Sequence, residues 1–269
     1  MTGISAKGSN VVWLASYPKC GNTWVRFMLF AALHGPPNES IEVSRRITDI
    51  HRPIPHSVPP GTRQIMKTHF MLTDRHPMLK NTNRAIHVIR DPRDVIISAL
   101  NYGKLRGEDS SANREGDYIK QFIAAGGDAN WTSSGFGTWA KHARSWRGTD
   151  RFPVLDVRYE ELKANPRSEL VRMLDFLGET IDDAKIDAAV KASSFESMRA
   201  LEVREKQAIR NDAKLDKRLF IGDATATRKG VFFINKGKSG QSLDTFGRGL
   251  DAMLEARLGD AMREFGYLQ

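Results

Sequence analysis

The chain has 269 residues, with 41 Lys and Arg against 32 Asp and Glu, a formal net charge of +9 and an isoelectric point near 9.7. That length allows one large α/β domain or two small ones, and the basic excess favours an anionic partner such as a nucleotide, a nucleic acid or an acidic surface. The single cysteine, Cys20, excludes an internal disulfide framework and a cysteine-rich zinc site.

Val11-Val12-Trp13-Leu14-Ala15 is a short apolar run that predicts a buried parallel strand. Pro18, Gly21 and Asn22 then break the chain into a tight loop. Trp24, Phe27, Met28 and Ala31 follow at the spacing of one helix face. A strand, a loop carrying Lys19 and a helix form a phosphate cradle: backbone N–H groups and the positive helix end face the anion, and the lysine adds a full charge. The loop is not a nucleoside-triphosphate P-loop, in which the lysine follows the second glycine; here Lys19 precedes Gly21. Cys20 reads as a space-filler, although a helix N-terminus can lower a thiol pKa. Val11–Ser16 is too short for a signal-peptide core, and Trp24–Leu33, interrupted by Arg26, is far short of a membrane span. A cytoplasmic protein is expected.

Gly35–Gly61 is proline-rich, with an amphipathic piece around Ile41–Ile50, and reads as a mobile excursion whose His51 and His56 lie at the surface. The seven histidines show no metal-ligand spacing, so no metal is expected. Arg63–Phe70 predicts a second strand whose end carries Lys67 and His69, two residues apart and pointing the same way. Catalytic groups at the carboxyl ends of parallel strands fit an open α/β sheet. Ala85–Arg90 predicts a third strand. Asp91-Pro92-Arg93-Asp94 then starts a helix that carries Ser98 two turns in, with Arg90 at the strand tip. An arginine fork and a hydroxyl suit a phosphate.

Residues 103–137, rich in Gly, Ser, Asn and Asp, read as a loop that contributes little to a core and is available to bind a second substrate. Thr138–Trp146 predicts a helix. Phe152–Leu162 predicts a fourth strand running into a turn, with Tyr159 near its end. Asn165-Pro166 opens a helix that Gly178 closes. Asp182–Lys191 and Phe195–Glu205 predict two more helices, and 206–230 a charged mobile segment. Phe232–Leu243 includes Asn235-Lys236-Gly237-Lys238. Asp244–Phe265 predicts one closing helix with apolar Leu250, Met253, Leu254 and Leu258.

Tyr-Pro-Lys-x-Gly-x-Thr-Trp at 17–24, Lys-Thr-His at 67–69 and Val-Ile-Arg-Asp-Pro-Arg-Asp-x-x-x-Ser at 88–98 resemble, in order, the motifs of sulfotransferases that use 3′-phosphoadenosine 5′-phosphosulfate (PAPS). Arg-Tyr-Glu-Glu-Leu at 158–162 and the glycine-containing piece at 235–243 extend the likeness. The first loop and the late Gly-x-x-Gly-Gln-Ser-Leu piece at 237–243 are most similar to bacterial enzymes that tailor natural products such as glycopeptide antibiotics. The resemblance implies one α/β domain over 1–269, with a central parallel sheet flanked by helices, a P-loop-like nucleotide site and mobile loops at 36–62, 103–137 and 206–230.

It further implies PAPS as donor and 3′-phosphoadenosine 5′-phosphate (PAP) as product, without a metal. His69, Lys19 and Lys67 would be catalytic. Lys19, Cys20, Gly21, Asn22, Thr23 and Trp24 would hold the 5′-phosphate, Arg90 and Ser98 the 3′-phosphate, and Tyr159 would lie by the adenine. Asn235, Lys236 and Gly237 would close over the 3′-phosphate end. Asn235 replaces the family's arginine there, which leaves Arg228, Lys229, Lys236 and Lys238 as rival cations. The acceptor would be a small molecule or glycoconjugate bearing a hydroxyl, with no nucleic-acid partner; a homodimer stays open. Two other readings compete. A nucleotide-dependent kinase needs a Mg²⁺ carboxylate, for which Asp91 or Asp94 is the source. A non-catalytic polyanion binder fits the charge, yet the basic residues are spread along the chain.

Overall fold

Val11–Ser16 forms strand β1, and all six residues are buried, because helices cover both faces of the sheet. It occupies the centre of five parallel strands in the order β2-β3-β1-β4-β5, with β2 at Thr48–Asp49, β3 at Gln64–Thr68, β4 at Thr82–Ile89 and β5 at Val154–Arg158. The computed structural model describes residues 10–51, 62–108, 111–211 and 230–269. From β1 the chain moves to one side for β2 and β3, then crosses to the other for β4 and β5. The crevice at the carboxyl ends of β1 and β4 is therefore the topological switch point, where open α/β sheets bind ligands.

Alternation along β1 divides the core. Val12 and Leu14 join Ile86, Val88 and Val157 against Phe27, Met28, Leu170, Leu174 and Ala189. These come from helices α1 (Asn22–His34), α8 (Pro166–Leu177) and α9 (Asp183–Ala192). Val11, Trp13 and Ala15 point the opposite way, onto Trp146 of α6 (Trp139–Arg147). Trp13 Nε1 donates to Thr82 Oγ1 at 2.8 Å, so its burial leaves no polar atom wanting. Helix α3 (Pro92–Leu105) follows β4, with Asp91 as a side-chain cap and Pro92 in the first turn.

Several segments differ from the sequence expectation. Residues 103–137 are largely helical and do enter the core. Helix α4 (Ala112–Ala125) buries Ile119, Phe122 and Ile123, and α5 (Ala129–Trp131) runs into a short π-helical stretch, Thr132–Phe136. The proline-rich excursion contains α2 (Ser40–Arg46) and edge strand β2. Tyr159–Ala164, read as a turn, is helix α7. The closing segment is interrupted: Leu243–Thr245 makes a single 3₁₀ turn, and α11 begins only at Leu250, after Gly249 at φ 82°. Met253 lies on its exposed face. Helix α10 runs from Phe195 to Asn211, and the rest of the charged segment expected to be mobile, 212–229, lies outside the described residues, as does His56.

Candidate active site

The loop after β1 is shaped by two residues with left-handed backbone, Lys19 (φ 71°) and Gly21 (φ 98°). A Cβ on Gly21 would lie 2.6 Å from Tyr159 Cδ2, so glycine is required by both backbone and space. The Gly21 carbonyl accepts from Trp24 N at 2.9 Å and Val25 N at 3.2 Å, which starts α1. The Trp24 N–H, expected to face a phosphate, is thereby used inside the helix; those of Asn22 and Thr23 precede the first intrahelical bond. The Asn22 side chain turns inward, donating to Leu14 O and Ser16 Oγ, both at 3.1 Å. It braces the loop against β1. Cys20 is fully buried, and burial pushes its thiol up to about 12, opposite to the lowering a helix N-terminus can give; the residue fills space.

Two cations, Lys19 and Arg90, meet at this loop. Lys19 Nζ lies 4.3 Å from the Tyr102 ring centroid and 4.7 Å from that of Phe233. Burial, then the charges of Arg90 and Lys67, lower its ammonium to about 7. Arg90, at the tip of β4, is buried and stacks over Tyr159 at 4.0 Å. Its guanidinium donates to Lys19 O at 3.2 Å and to Lys238 O at 2.7 Å. Tyr159 is packed between Arg90, Gly21 and the edge of Trp24, whose ring centroid is 5.6 Å away. Two buried donors here, Arg90 Nε and Trp24 Nε1, have no hydrogen-bond partner among the described residues.

The late loop is stitched over this cluster by two buried carboxylates: Asp94, offered by the sequence only as a Mg²⁺ ligand in the kinase alternative, and Glu202, to which the sequence reading gave no role. Asp94 of α3 accepts from Gly240 N at 3.0 Å, Gln241 N at 3.3 Å and Gln241 Nε2 at 2.9 Å. Glu202 of α10 accepts from Phe233 N at 2.7 Å and Ile234 N at 2.9 Å, beside Lys206 Nζ at 2.6 Å. Gly237 approaches Tyr159, and the Asn235 carbonyl accepts from Arg199 Nη2. Lys236 and Lys238 are exposed, and Lys238 meets Arg90 through its carbonyl rather than its ammonium. Arg228 and Lys229 lie outside the described residues. Ser98 is half-buried on α3.

On the far side of β1, β3 delivers Lys67 and His69. His69 Nδ1 lies 2.7 Å from the Ser16 carbonyl and so carries the proton it donates there. The neutral ring keeps its lone pair on Nε2. Burial, then the Lys67 charge, hold its pKa well below the usual value, so the ring is neutral at pH 7. Lys67 Nζ pairs with Asp49 Oδ2 at 2.9 Å, both largely buried. His51, expected at the surface, is half-buried and stacks on His69 with ring centroids 5.7 Å apart and planes 14° off parallel. Phe70 and Phe136 complete an aromatic wall, 4.5 Å and 4.9 Å from His51. The chain pairs Asp49 and His51 with β3 through long-range contacts, which leave no local signal in sequence. Among the described residues, no group of three or more His, Cys, Asp or Glu could hold a metal ion, and no helix is long and apolar enough to cross a membrane.

Residues 9–240 match the model of the sulfotransferase domain family, and the chain belongs to that family. Curated relatives include mouse sulfotransferase 1A1, 26% identical over 201 residues that make up 70% of this chain and 66% of that protein. Human sulfotransferase 1C2 is 25% identical over 201 residues, 69% of this chain and 64% of that protein. The chain thus spans a little under two thirds of the length of these relatives. The fold is shared with retinol dehydratase, solved with androsterone and the inactive cofactor PAP, at TM-score 0.68 and 19% identity over 95% of this chain and 81% of that one. It is also shared with mouse sulfotransferase SULT7A1 complexed with PAP, at TM-score 0.63 and 18% identity over 96% of this chain and 89% of that one.

Proposed function

We propose that this protein transfers the sulfuryl group of PAPS to an acceptor hydroxyl, with His69 as general base. The observation that carries the reading is the 2.7 Å approach of His69 Nδ1 to Ser16 O: a carbonyl oxygen can only accept, so Nδ1 holds the proton and Nε2 is left to take another. As Nε2 takes the hydroxyl proton, the acceptor oxygen forms its bond to sulfur and the bond from sulfur to the 5′-phosphate oxygen breaks, leaving PAP. Lys19 would stabilise the charge on that leaving oxygen, and Lys67 the sulfuryl oxygens. The N–H groups of Gly21, Asn22 and Thr23 and the Thr23 hydroxyl would hold the 5′-phosphate.

Arg90 and Ser98 would read the 3′-phosphate, with Trp24 and Tyr159 beside the base and Asn235–Lys238 above. The unpartnered Arg90 Nε and Trp24 Nε1 are buried donors suited to an anionic, ring-bearing ligand. Arg90 would exchange its bonds to Lys19 O and Lys238 O for the phosphate, while Asp94 keeps the late loop on α3. Lysines suffice for a donor with one 5′-phosphate and a singly charged sulfuryl group, and no metal is required. The kinase reading is weakened because Asp91 is paired with Arg93 and Asp94 is committed to the late loop. The aromatic wall around His69 suits a small ring-bearing alcohol or phenol better than a glycoconjugate.

Calorimetric titration with PAP, AMP and ATP without added metal tests the donor. Binding of PAP alone, lost in Arg90→Ala, supports the reading; equal binding of all three or a strict Mg²⁺ requirement overturns it. His69→Ala should bind PAP as the wild type does and lose about 10²–10⁴-fold in turnover against a panel of hydroxyl acceptors.

A further inference from the structure

We infer that His51 and Asp49, at the exit of edge strand β2, are positioning residues for His69 and Lys67; this rests on the sulfotransferase reading above. His51 Nε2 accepts the backbone N–H of His69 at 2.8 Å. A ring nitrogen that accepts carries no proton, so neutral His51 has its hydrogen on Nδ1. His69 is thus held twice, by its backbone through His51 and by its ring through Ser16 O. Asp49 closes the other half of the device. Its Oδ2 takes Lys67 Nζ and its Oδ1 takes His51 N at 2.9 Å. Ile50 N donates to Lys67 O at 3.2 Å, which keeps the segment in step with β3.

The segment is itself anchored from the donor side. Arg26, the charge that interrupts the apolar run of α1, is buried and reaches Ile47 O at 2.5 Å and Ser44 Oγ at 3.3 Å, just before β2. Buried polar groups held this way fix a single arrangement of the side chains they touch. A carboxylate, an imidazole and a two-residue strand therefore set the separation of base and cation. Neither Asp49 nor His51 needs to touch the reacting atoms. A displacement of about 1 Å at such a group costs on the order of 100-fold in rate.

The test uses the full chain and needs no knowledge of the natural acceptor. Long-range ¹H–¹⁵N spectra read the histidine tautomers, with His51 assigned by its loss in His51→Gln. PAPS hydrolysis, with water as acceptor, reads the rate, and PAP affinity checks the fold of each variant. His51 is expected as the Nδ1–H tautomer. His51→Phe, which keeps a ring but not the acceptor nitrogen, should lose about 10–100-fold in kcat with the PAPS KM little changed. His51→Gln, whose amide oxygen can replace Nε2, should stay within about 3-fold of wild type. Asp49→Asn, a second route through Lys67, should also lower kcat without weakening PAP. An Nε2–H tautomer at His51 overturns the proposal, as does a wild-type rate in His51→Phe or a His51→Gln as impaired as His51→Ala. A wild type that fails to bind PAP would instead sink the donor reading, and a fully active His69→Ala the base, while the tautomer would still decide the contact between His51 and His69.

Discussion

Gly21 and Lys19 show how much of the site rests on single residues. Gly21→Ala would place a methyl against Tyr159 and force a left-handed backbone on an L-residue. Its expected cost is about 2–5 kcal/mol in urea unfolding, from conformational strain and overpacking together, with loss of PAP binding. Lys19 carries a different signature. Its ammonium, ordinarily near 10.5, lies at about 7 in the free protein, so above that pH it is largely neutral until an anion restores its charge. Nucleotide binding should therefore take up a proton between about pH 7 and 10.5, and affinity should fall as pH rises through that window. Calorimetry at about pH 8 in buffers of different ionisation enthalpy measures the uptake, and Lys19→Met should abolish it. Lys19, Lys67, His69 and Arg90 are legible in the sequence because each sits in a short motif at a strand end. Asp49 and His51 are not, because register alone brings them to β3.

Among elements, the late loop depends on helices far away in sequence. Asp94→Asn keeps the side chain's size but replaces one acceptor oxygen with a donor facing the Gly240 and Gln241 N–H groups. The expected result is faster hydrogen exchange over 239–241 and weaker PAP binding, with α3 itself intact, since a buried N–H left without an acceptor costs about 1–3 kcal/mol. The strand–loop–helix unit at 11–34 could be read directly, because an apolar run, one glycine and a helical period are all local signals. Helix α4 could not. Its buried Ile119, Phe122 and Ile123 have helical spacing, but they are embedded among Gly, Ser, Asn and Asp that read as loop. Two-residue β2 is too short to show any period.

Over the whole molecule, several histidines are held in the neutral form by partial or full burial. Burial lowers His51 and His76 from 6.5 to about 4, and holds His69 and His142 well below 6.5. The unfolded chain binds more protons than the folded one between those values, so stability is fully present above pH 6.5 and is lost as pH falls towards 4. Each such ring contributes up to ~1.4 kcal/mol per pH unit in that window. Urea midpoints measured downward from neutral pH should fall steeply below 6.5, and His142→Phe should flatten the slope. The parallel-sheet class was legible from strands alternating with helices. The strand order was not, because the crossover to β4 depends on packing rather than on local sequence.

The edge strand has a consequence for how the protein can change over evolution. β2 holds to β3 through two residue pairs, whereas β1 and β4 pair along six. Local opening requires the least free energy where the fewest bonds and buried contacts must break. Amides of 48–51 should therefore exchange with deuterium well before those of β1 and β4. On the proposed reading, the side of the site that holds His69 would open locally at a lower free-energy cost than the nucleotide cradle. On the same reading, substitutions along that margin other than at Asp49 and His51 would alter the acceptor side while leaving the nucleotide cradle as it is.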